Sequence, residues 1–463
     1  MQQMFEFNAP HIQKVLSTAL QQGGHYADLY IEETQVRSIE LQDGKVSQAQ
    51  QSSLYGAGIR VVLHEQTGYA YTMDLSMPSL LDAARFAGSI APYQKNISRR
   101  EKTLYPVLGK TVRSEFEVLE NQQARHLLLH INKMAREKDN RVIRVKAALT
   151  QRTQTIHFAN SNSETYTDHR PRTAIMLNVV LEENGITQMG YATEMLKMDA
   201  AFITPERTTK LINEAINRAA FLFGAIQPTG GEMPVVMAAG GSGILLHEAI
   251  GHAFEADFIR QGTSIFTGRL GKTICSKDIT IVDDGTQPND AGHLTWDDEG
   301  IPGQYTTLVH EGKLESFIHD RISAKHFGVA PTGNGRRESF RHVPQPRMRS
   351  TYMLSGDANE DDIIRSVKKG IYAQVFTNGQ VQIGAGDFTF YMKQGYLIED
   401  GKLTQPICDV NITGNGPQAL QDICMVGNNL HIDHSAAMCR KGGQSVPVSQ
   451  GLPTLRINKL IVG

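Results

Sequence analysis

One run of six residues, His247-Glu248-Ala249-Ile250-Gly251-His252, constrains this chain more than any other. Histidines four apart on an α-helix differ by about 40° around the axis and can reach one ion. These two are five apart, which separates them by about 140° and carries them to different sides of a regular helix. A π-type turn bonds residue i to i+5 and realigns such a pair, and single-turn bulges of this kind favour functional sites. The spacing therefore predicts a locally widened turn at Ile250-Gly251, with Gly251 permitting it through its missing Cβ. Two imidazoles on one face beside a carboxylate are the donors and the base of metal-assisted hydrolysis. The flanks Leu245, Leu246 and Ile250 are apolar, and burying two lone imidazoles among them is costly unless something binds them. The plain alternative is a solvated helix face in a chain that carries 16 histidines.

A catalytic zinc takes three protein ligands and keeps one position open, so a further donor has to come from elsewhere. Glu255 and Asp257 follow on the same segment, and His431, His434 and Cys439 lie in the C-terminal tail. Cys439 sits in a glycine-flanked turn, where a backbone can approach a metal closely, and thiolate is a strong zinc donor. Glu255 also suits the role of a carboxylate that orients a histidine. Cys275, Cys408 and Cys424 read as ordinary core thiols. The four cysteines show no CxxC spacing, which argues against a disulfide framework and for a reducing compartment.

Lys plus Arg (46) nearly balances Asp plus Glu (48) without runs of like charge, so nucleic acid and membrane surface are not expected partners. The opening MQQMFEFNAP lacks a basic segment followed by an apolar one, and no apolar run approaches the roughly 20 residues that span a bilayer. The expected location is cytoplasmic.

Periodicity and turn residues predict an α+β chain in two domains, 1–226 and 227–463, divided at Gln227-Pro228-Thr229-Gly230-Gly231. The first holds two units, 1–102 and 103–226. Helices are expected over 10–22, 78–91, 116–138 and 204–223. Strand segments are expected at 27–31 and 36–41 before an Asp43-Gly44 turn, at 58–63 and 69–72 around a turn at Gly68, and at 142–149, 155–158, 174–181 and 190–193. The polar stretch 93–102, with Arg99, Arg100 and Lys102, reads as a solvated connection. In the second domain a strand at 234–239 leads through a glycine turn, with Ser242 as N-cap, into the metal-site helix. Short strands at 304–310, 379–383 and 388–391 and one helix at 360–369 follow, and a curved sheet or open barrel is expected to wrap the metal helix. The loop 331–337 either lines a cleft, with Arg336 or Arg337 reaching a carbonyl or carboxylate, or is an exposed turn.

Four long stretches carry a resemblance. HEAIGHAFEADFIRQGTSIFTGRLG, DDEGIPGQYTTLVHEGKL, PTGNGRRESFRHVPQPRMRSTYMLSG and MCRKGGQSVPVSQGLPTLRI, in this order, resemble the TldD branch of the TldD/PmbA metallopeptidases. They cover essentially the whole C-terminal half, and the N-terminal half agrees more loosely. The resemblance implies a zinc peptidase whose metal is held by His247, His252 and Cys439, with Glu248 as general base for the attacking water. A second branch of that family lacks these residues and acts as the inactive partner of a heterodimer; this chain keeps them and resembles the active type. The family further implies a homodimer, or a heterodimer with an inactive paralogue, that encloses the site in a cavity. The pair His431 and His434 departs from the family pattern. A β-rich second half suits strand addition, in which an extended or unfolded peptide pairs its backbone with a sheet edge and sequence matters little. Two other classes share the features: a metal hydrolase of non-peptide amides or esters, and a non-catalytic peptide-binding or regulatory protein whose structural zinc is closed by four ligands.

Overall fold

The computed structural model describes residues 8–90, 110–112 and 118–463. The connection 93–102 with its Arg99, Arg100 and Lys102 lies outside the described residues, as do residues 91 and 116–117 at the ends of two predicted helices.

Alternation in the first half runs farther than local sequence predicts. The segments at 27–31 and 36–41 belong to one strand, Tyr26–Gln42, which turns at Asp43 and Gly44, both at positive φ, into Lys45–Leu63. The next turn falls at His64 (φ 55°) rather than at Gly68. Gly68 lies inside the third strand, Gln66–Thr72, where a Cβ would come within 2.0 Å of the Ala87 carbonyl; its role is to let the helix Met77–Gly88 pack closely. The segments 142–149 and 155–158 likewise merge into Val142–Asn160. The polar residues between them stay in register because they have buried partners: Gln154 Nε2 donates to Glu32 (2.9 Å), and Gln151 bonds both backbone groups of Leu119.

These strands form one seven-stranded sheet, curled into a half-barrel. Its order is Gln66–Thr72, Lys45–Leu63, Tyr26–Gln42, Val142–Asn160, Thr165–Glu183 and Lys110–Val112, with Ile186–Leu196 also paired to Thr165–Glu183. Because side chains alternate along a strand, odd-numbered Leu29, Ile31, Ile39 and Leu41 share one face. Helices Ala9–Ala19 and Met77–Gly88 cover one end of that face, and Asn121–Lys138 and Pro205–Phe221 the other. Even-numbered Asp28, Tyr30 and Glu32 point the opposite way, toward the C-terminal half.

There, Arg60 bridges Asp28 and Glu299 (2.6 Å to Glu299), and Arg170 bridges Asp168 and Asp298 (2.7 Å to each). All six side chains are buried. The acidic turn of the DDEG run is thus a clasp between halves. Arg336 and Arg337 are equally structural, contrary to both readings of their loop. Arg336 donates to the carbonyls of Met348 and Pro447, and Arg337 donates to the Asp298 carbonyl and stacks over Tyr30.

In the second half, strands Lys369–Val381, Gly231–Met237, Leu455–Val462, Val410–Asn415 and Asp387–Glu399 pair in a circle, the last closing on the first. The barrel is closed rather than open, and the strands predicted at 379–383 and 388–391 fall in two of its 13-residue members, the first of which ends at Val381. The helix predicted at 360–369 stops at Arg365, and the first of those strands begins at Lys369. A six-stranded sheet containing Ile281–Asp284, Tyr305–His310, Ser350–Met353 and Ser449–Leu452 lies beside the barrel. Leu245, Leu246, Ala249 and Ile250 of the motif segment share one apolar core with both.

Candidate metal centre

The motif segment is not a regular helix. A 3₁₀ turn at Gly241–Gly243 and a single α-turn, Ile244–Leu246, lead into a π-helix, His247–Gly251, and a second 3₁₀ turn, His252–Phe254. The His252 N–H bonds the His247 carbonyl, the i+5 bond that the spacing demands, and the two rings lie 5.1 Å apart between centroids. Gly251 serves a different purpose from the expected one. Its φ of −57° and ψ of −48° are ordinary helical values open to any residue. A Cβ there would lie 2.1 Å from Met348 Sδ, so space rather than backbone freedom requires the glycine. Ser242 does not cap the segment; its hydroxyl faces the Ala373 carbonyl at 3.4 Å.

Cys439 arrives from the far end of the chain. Its strand, Met438–Lys441, turns at Gly442 and Gly443, both at positive φ, and returns as Gln444–Pro447. Cys439 is buried, with Sγ 3.6 Å from His252 Nε2, and one ligand atom from each of His247, His252 and Cys439 lies within 4.8 Å of the others. His247 Nδ1 is buried without a hydrogen-bond partner among the described residues. Two buried imidazoles and a buried thiol whose donor atoms converge this closely fit a metal of the zinc type, and three protein donors are the number that an open site uses.

The remaining candidates take other places. Glu255 Oε2 meets His252 Nδ1 at 3.0 Å, the arrangement that fixes a ligating imidazole through its second nitrogen. Glu255 is held in turn by Lys441 Nζ at 3.0 Å, which also bonds Asp257 (2.8 Å) and the Pro346 carbonyl (3.1 Å). His434 faces Asp290 at 3.5 Å, and His431 packs against Gly240. Cys275 is buried, Cys408 is half-buried and Cys424 is exposed, so only the first is a core thiol. Two contributors have no signature in local sequence. Lys441 looks like any turn lysine, and Arg347, which bonds the Cys439 carbonyl (2.5 Å), is one basic residue in an arginine-rich stretch.

Electrostatics follow from this packing. Burial works against charge on Cys439, His252, Glu255 and Glu248. For Cys439 it is outweighed by the two imidazoles, which hold the thiol well below its ordinary pKa and favour the ligating thiolate. For His252 it is outweighed by Glu255 and Cys439, which raise the pKa well above the usual imidazole value. Burial of Glu255 is likewise overcome, first by Lys441 and then by His252, and its pKa falls to about 2. Glu248, half-buried at the cavity wall, is pushed upward by burial against the opposing pull of His247 and His252.

The cavity holds about 2170 Å³ and is walled by both halves of the chain. Helix Pro205–Phe221 contributes Lys210 and Asn213, strand Lys369–Val381 contributes residues 374–381, and His247, Glu248 and His252 open onto it. Gly379 passes so close that a Cβ would sit 3.1 Å from Glu248 Cγ and 2.6 Å from the Phe390 ring.

Comparison with known proteins gives a consistent result. Domain profiles of the PmbA/TldA metallopeptidases match residues 27–91 (domain 1), 115–220 (central domain) and 230–463 (C-terminal domain). The metalloprotease TldD homolog of Haemophilus influenzae is 38% identical over 446 residues, covering 95% of this chain and 92% of that one. The zinc metalloprotease TldD homolog of Saccharolobus solfataricus is 33% identical over 278 residues, 60% of this chain and 59% of its own. The crystal structure of TldE from Thermococcus kodakarensis superposes with a TM-score of 0.73 at 17% identity, over 98% of this chain and 100% of that one, which is a likeness of fold. Among the described residues no helix is long and apolar enough to cross a membrane. This chain belongs to the TldD/PmbA metallopeptidase family.

Proposed function

We propose that the protein is a zinc-dependent peptidase of extended or unfolded peptides, with His247, His252 and Cys439 as metal ligands and Glu248 as general base. The observation that carries this reading is the three-donor cluster, two of whose members, His247 and His252, open with Glu248 onto one large cavity. Bound zinc supplies Lewis acidity at the scissile carbonyl and at the attacking water. Glu248 takes the proton of that water as it attacks and returns it to the leaving amine. Glu255, tied down by Lys441, keeps the His252 ring turned toward the ligand group.

Backbone recognition accounts for breadth of substrate. Strand Lys369–Val381 pairs with Gly231–Met237 only through Ile371–Ala373. Beyond Ala373 that edge pairs with no other strand among the described residues, and residues 374–381 line the cavity. An extended peptide added there satisfies the strand's free N–H and C=O groups whatever its side chains. A cavity well above the roughly 300–1,000 Å³ of a small-molecule pocket suits a length of chain. A dimer with a second copy or an inactive paralogue remains part of the proposal, as the family resemblance implies.

The test is a pair of variants. Glu248→Gln is expected to keep zinc by metal analysis and to lose cleavage of an unstructured peptide, whereas Cys439→Ala is expected to lose zinc. Full activity in Glu248→Gln would refute the catalytic assignment, and unchanged zinc in Cys439→Ala would refute the ligand set.

A further inference from the structure

We infer that Arg440 forms a carboxylate-binding subsite in the peptide cavity, biasing cleavage toward peptides with an acidic group close to the scissile bond. The inference rests on the peptidase reading and adds a charge preference to recognition that is otherwise carried by the backbone.

Arg440 follows Cys439 directly on strand Met438–Lys441. Alternation sends Cys439 and Lys441 inward, where both are buried or engaged, and sends Met438 and Arg440 the other way. Met438 is 44% exposed, Arg440 is exposed, and both line the cavity. Arg440 lies opposite Ser445 in the hairpin, and its guanidinium makes no hydrogen bond, ion pair or ring contact among the described residues.

Several other charges on the cavity wall have partners. Glu214 pairs with Arg218 at 2.5 Å, Asp433 accepts both the N–H and the hydroxyl of Ser435, and Lys441 is held by Glu255 and Asp257. Glu206 and Lys210, one helical turn apart on helix Pro205–Phe221, form no ion pair among the described residues and stand free at the same wall. Glu248 stands at the metal group. Arg440 is the one of these free charges that adjoins a proposed metal ligand in the chain, and it offers a planar fork suited to a carboxylate. Its Cα is about 3.8 Å along the chain from that of a proposed ligand. Its side chain leaves the strand on the face opposite Cys439, so at about 3.3 Å per residue of extended substrate the group it meets belongs to a residue a few positions from the scissile bond. That carboxylate is either an Asp or Glu side chain or the C-terminus of a short peptide.

The experiment walks an Asp through a neutral, unstructured peptide and compares each position with Asn, using the zinc-loaded protein. A second arm compares free and amidated C-termini. The expected result is an Asp-over-Asn preference of about fivefold in kcat/KM at one position, the scale of a partly exposed ion pair. It should fall to unity in Arg440→Gln and reverse toward Lys in Arg440→Glu. A preference confined to free C-termini assigns the subsite to the chain terminus. Binding of the same peptides to Glu248→Gln, read by fluorescence anisotropy, separates this inference from the peptidase reading. Charge-selective binding without cleavage in the parent protein would sink the peptidase and keep Arg440. Equal handling of Asp and Asn at every position, or a preference that survives Arg440→Gln, overturns the inference.

Discussion

Replacing Gly251 by alanine separates two explanations of that residue. Were the glycine needed for backbone freedom, alanine would fit poorly anywhere in the widened turn; but its φ of −57° is one alanine prefers, and helix propensity alone favours the change by about 1 kcal/mol. Packing predicts the opposite sign. The new Cβ would stand 2.1 Å from Met348 Sδ and 3.1 Å from both Met348 Cε and the Leu246 carbonyl. Ordinary contact near 3.5–4.0 Å requires a shift of roughly 1.5 Å. Met348 is 0% exposed, so it has no solvent to swing into. Overpacking costs about 1–3 kcal/mol, and an overlap this deep belongs in the upper part of that range, so after the propensity gain a net loss of about 1–2 kcal/mol is expected. The assay is a double-mutant cycle with Met348→Ala, read by denaturant unfolding and by zinc content. Met348→Ala alone leaves a cavity costing about 2–5 kcal/mol, which the alanine methyl partly fills in the double variant, so the two losses should fall short of their sum by at least about 1 kcal/mol. A Gly251→Ala protein as stable as the parent, or two losses that add within about 0.5 kcal/mol, would refute the packing argument.

Further outcomes follow from other contacts. Glu255→Gln is expected to weaken zinc binding about 10- to 100-fold in chelator competition, because the His252 ring loses its charged anchor; unchanged affinity would show that Glu255 does not orient the ligand. Arg60→Met removes the buried cation that Asp28 and Glu299 share, leaving Asp28 the 3.5 Å contact to Arg337 and Glu299 the Arg321 N–H, and a loss of about 3–5 kcal/mol should appear as a lower unfolding midpoint; a small change would mean that these remaining partners suffice. Asp320 is driven by burial and then by Glu299 from 3.8 to about 6. A folded-state pKa raised in this way gives stability that is complete below the unfolded value and is lost as pH rises through about 6. Asp320→Asn keeps a helix cap on the Ser323 N–H and should flatten the fall in Tm between pH 4.5 and 7; parallel Tm curves would exclude Asp320 as its source.

Much of the site was legible because its signals are local. Five-residue spacing between His247 and His252 demands an i+5 turn, and that turn is present. Glycines at 442 and 443 mark the tight hairpin that carries Cys439, although only the family resemblance singled out its thiol over Glu255 or the tail histidines. What escaped is tertiary in origin. Nothing near Lys441 says that it meets Glu255, and nothing in helix Pro205–Phe221 says that it walls a cavity about a domain boundary. Strand lengths were underestimated where polar residues interrupt the apolar pattern, since Gln151 and Gln154 find their partners on distant segments. Arg336 and Arg337 misled for the same reason: charge in a glycine-rich loop suggests solvent or ligand, yet both are consumed by carbonyls and ring faces inside the fold.

The clasp of Asp28, Arg60 and Glu299 with Asp168, Arg170 and Asp298 limits how this architecture can be recombined. Each arginine is neutralised partly by its own half and partly by the other, so neither half alone presents a balanced surface at the join. A hybrid assembled from two relatives inherits a working interface only if the even-numbered residues of the first sheet and the acidic turn at 297–299 come from the same parent or match in charge. Because the cavity is walled from both sides of that join, grafting a new N-terminal half onto residues 230–463 to alter substrate choice would first have to solve this electrostatic compatibility.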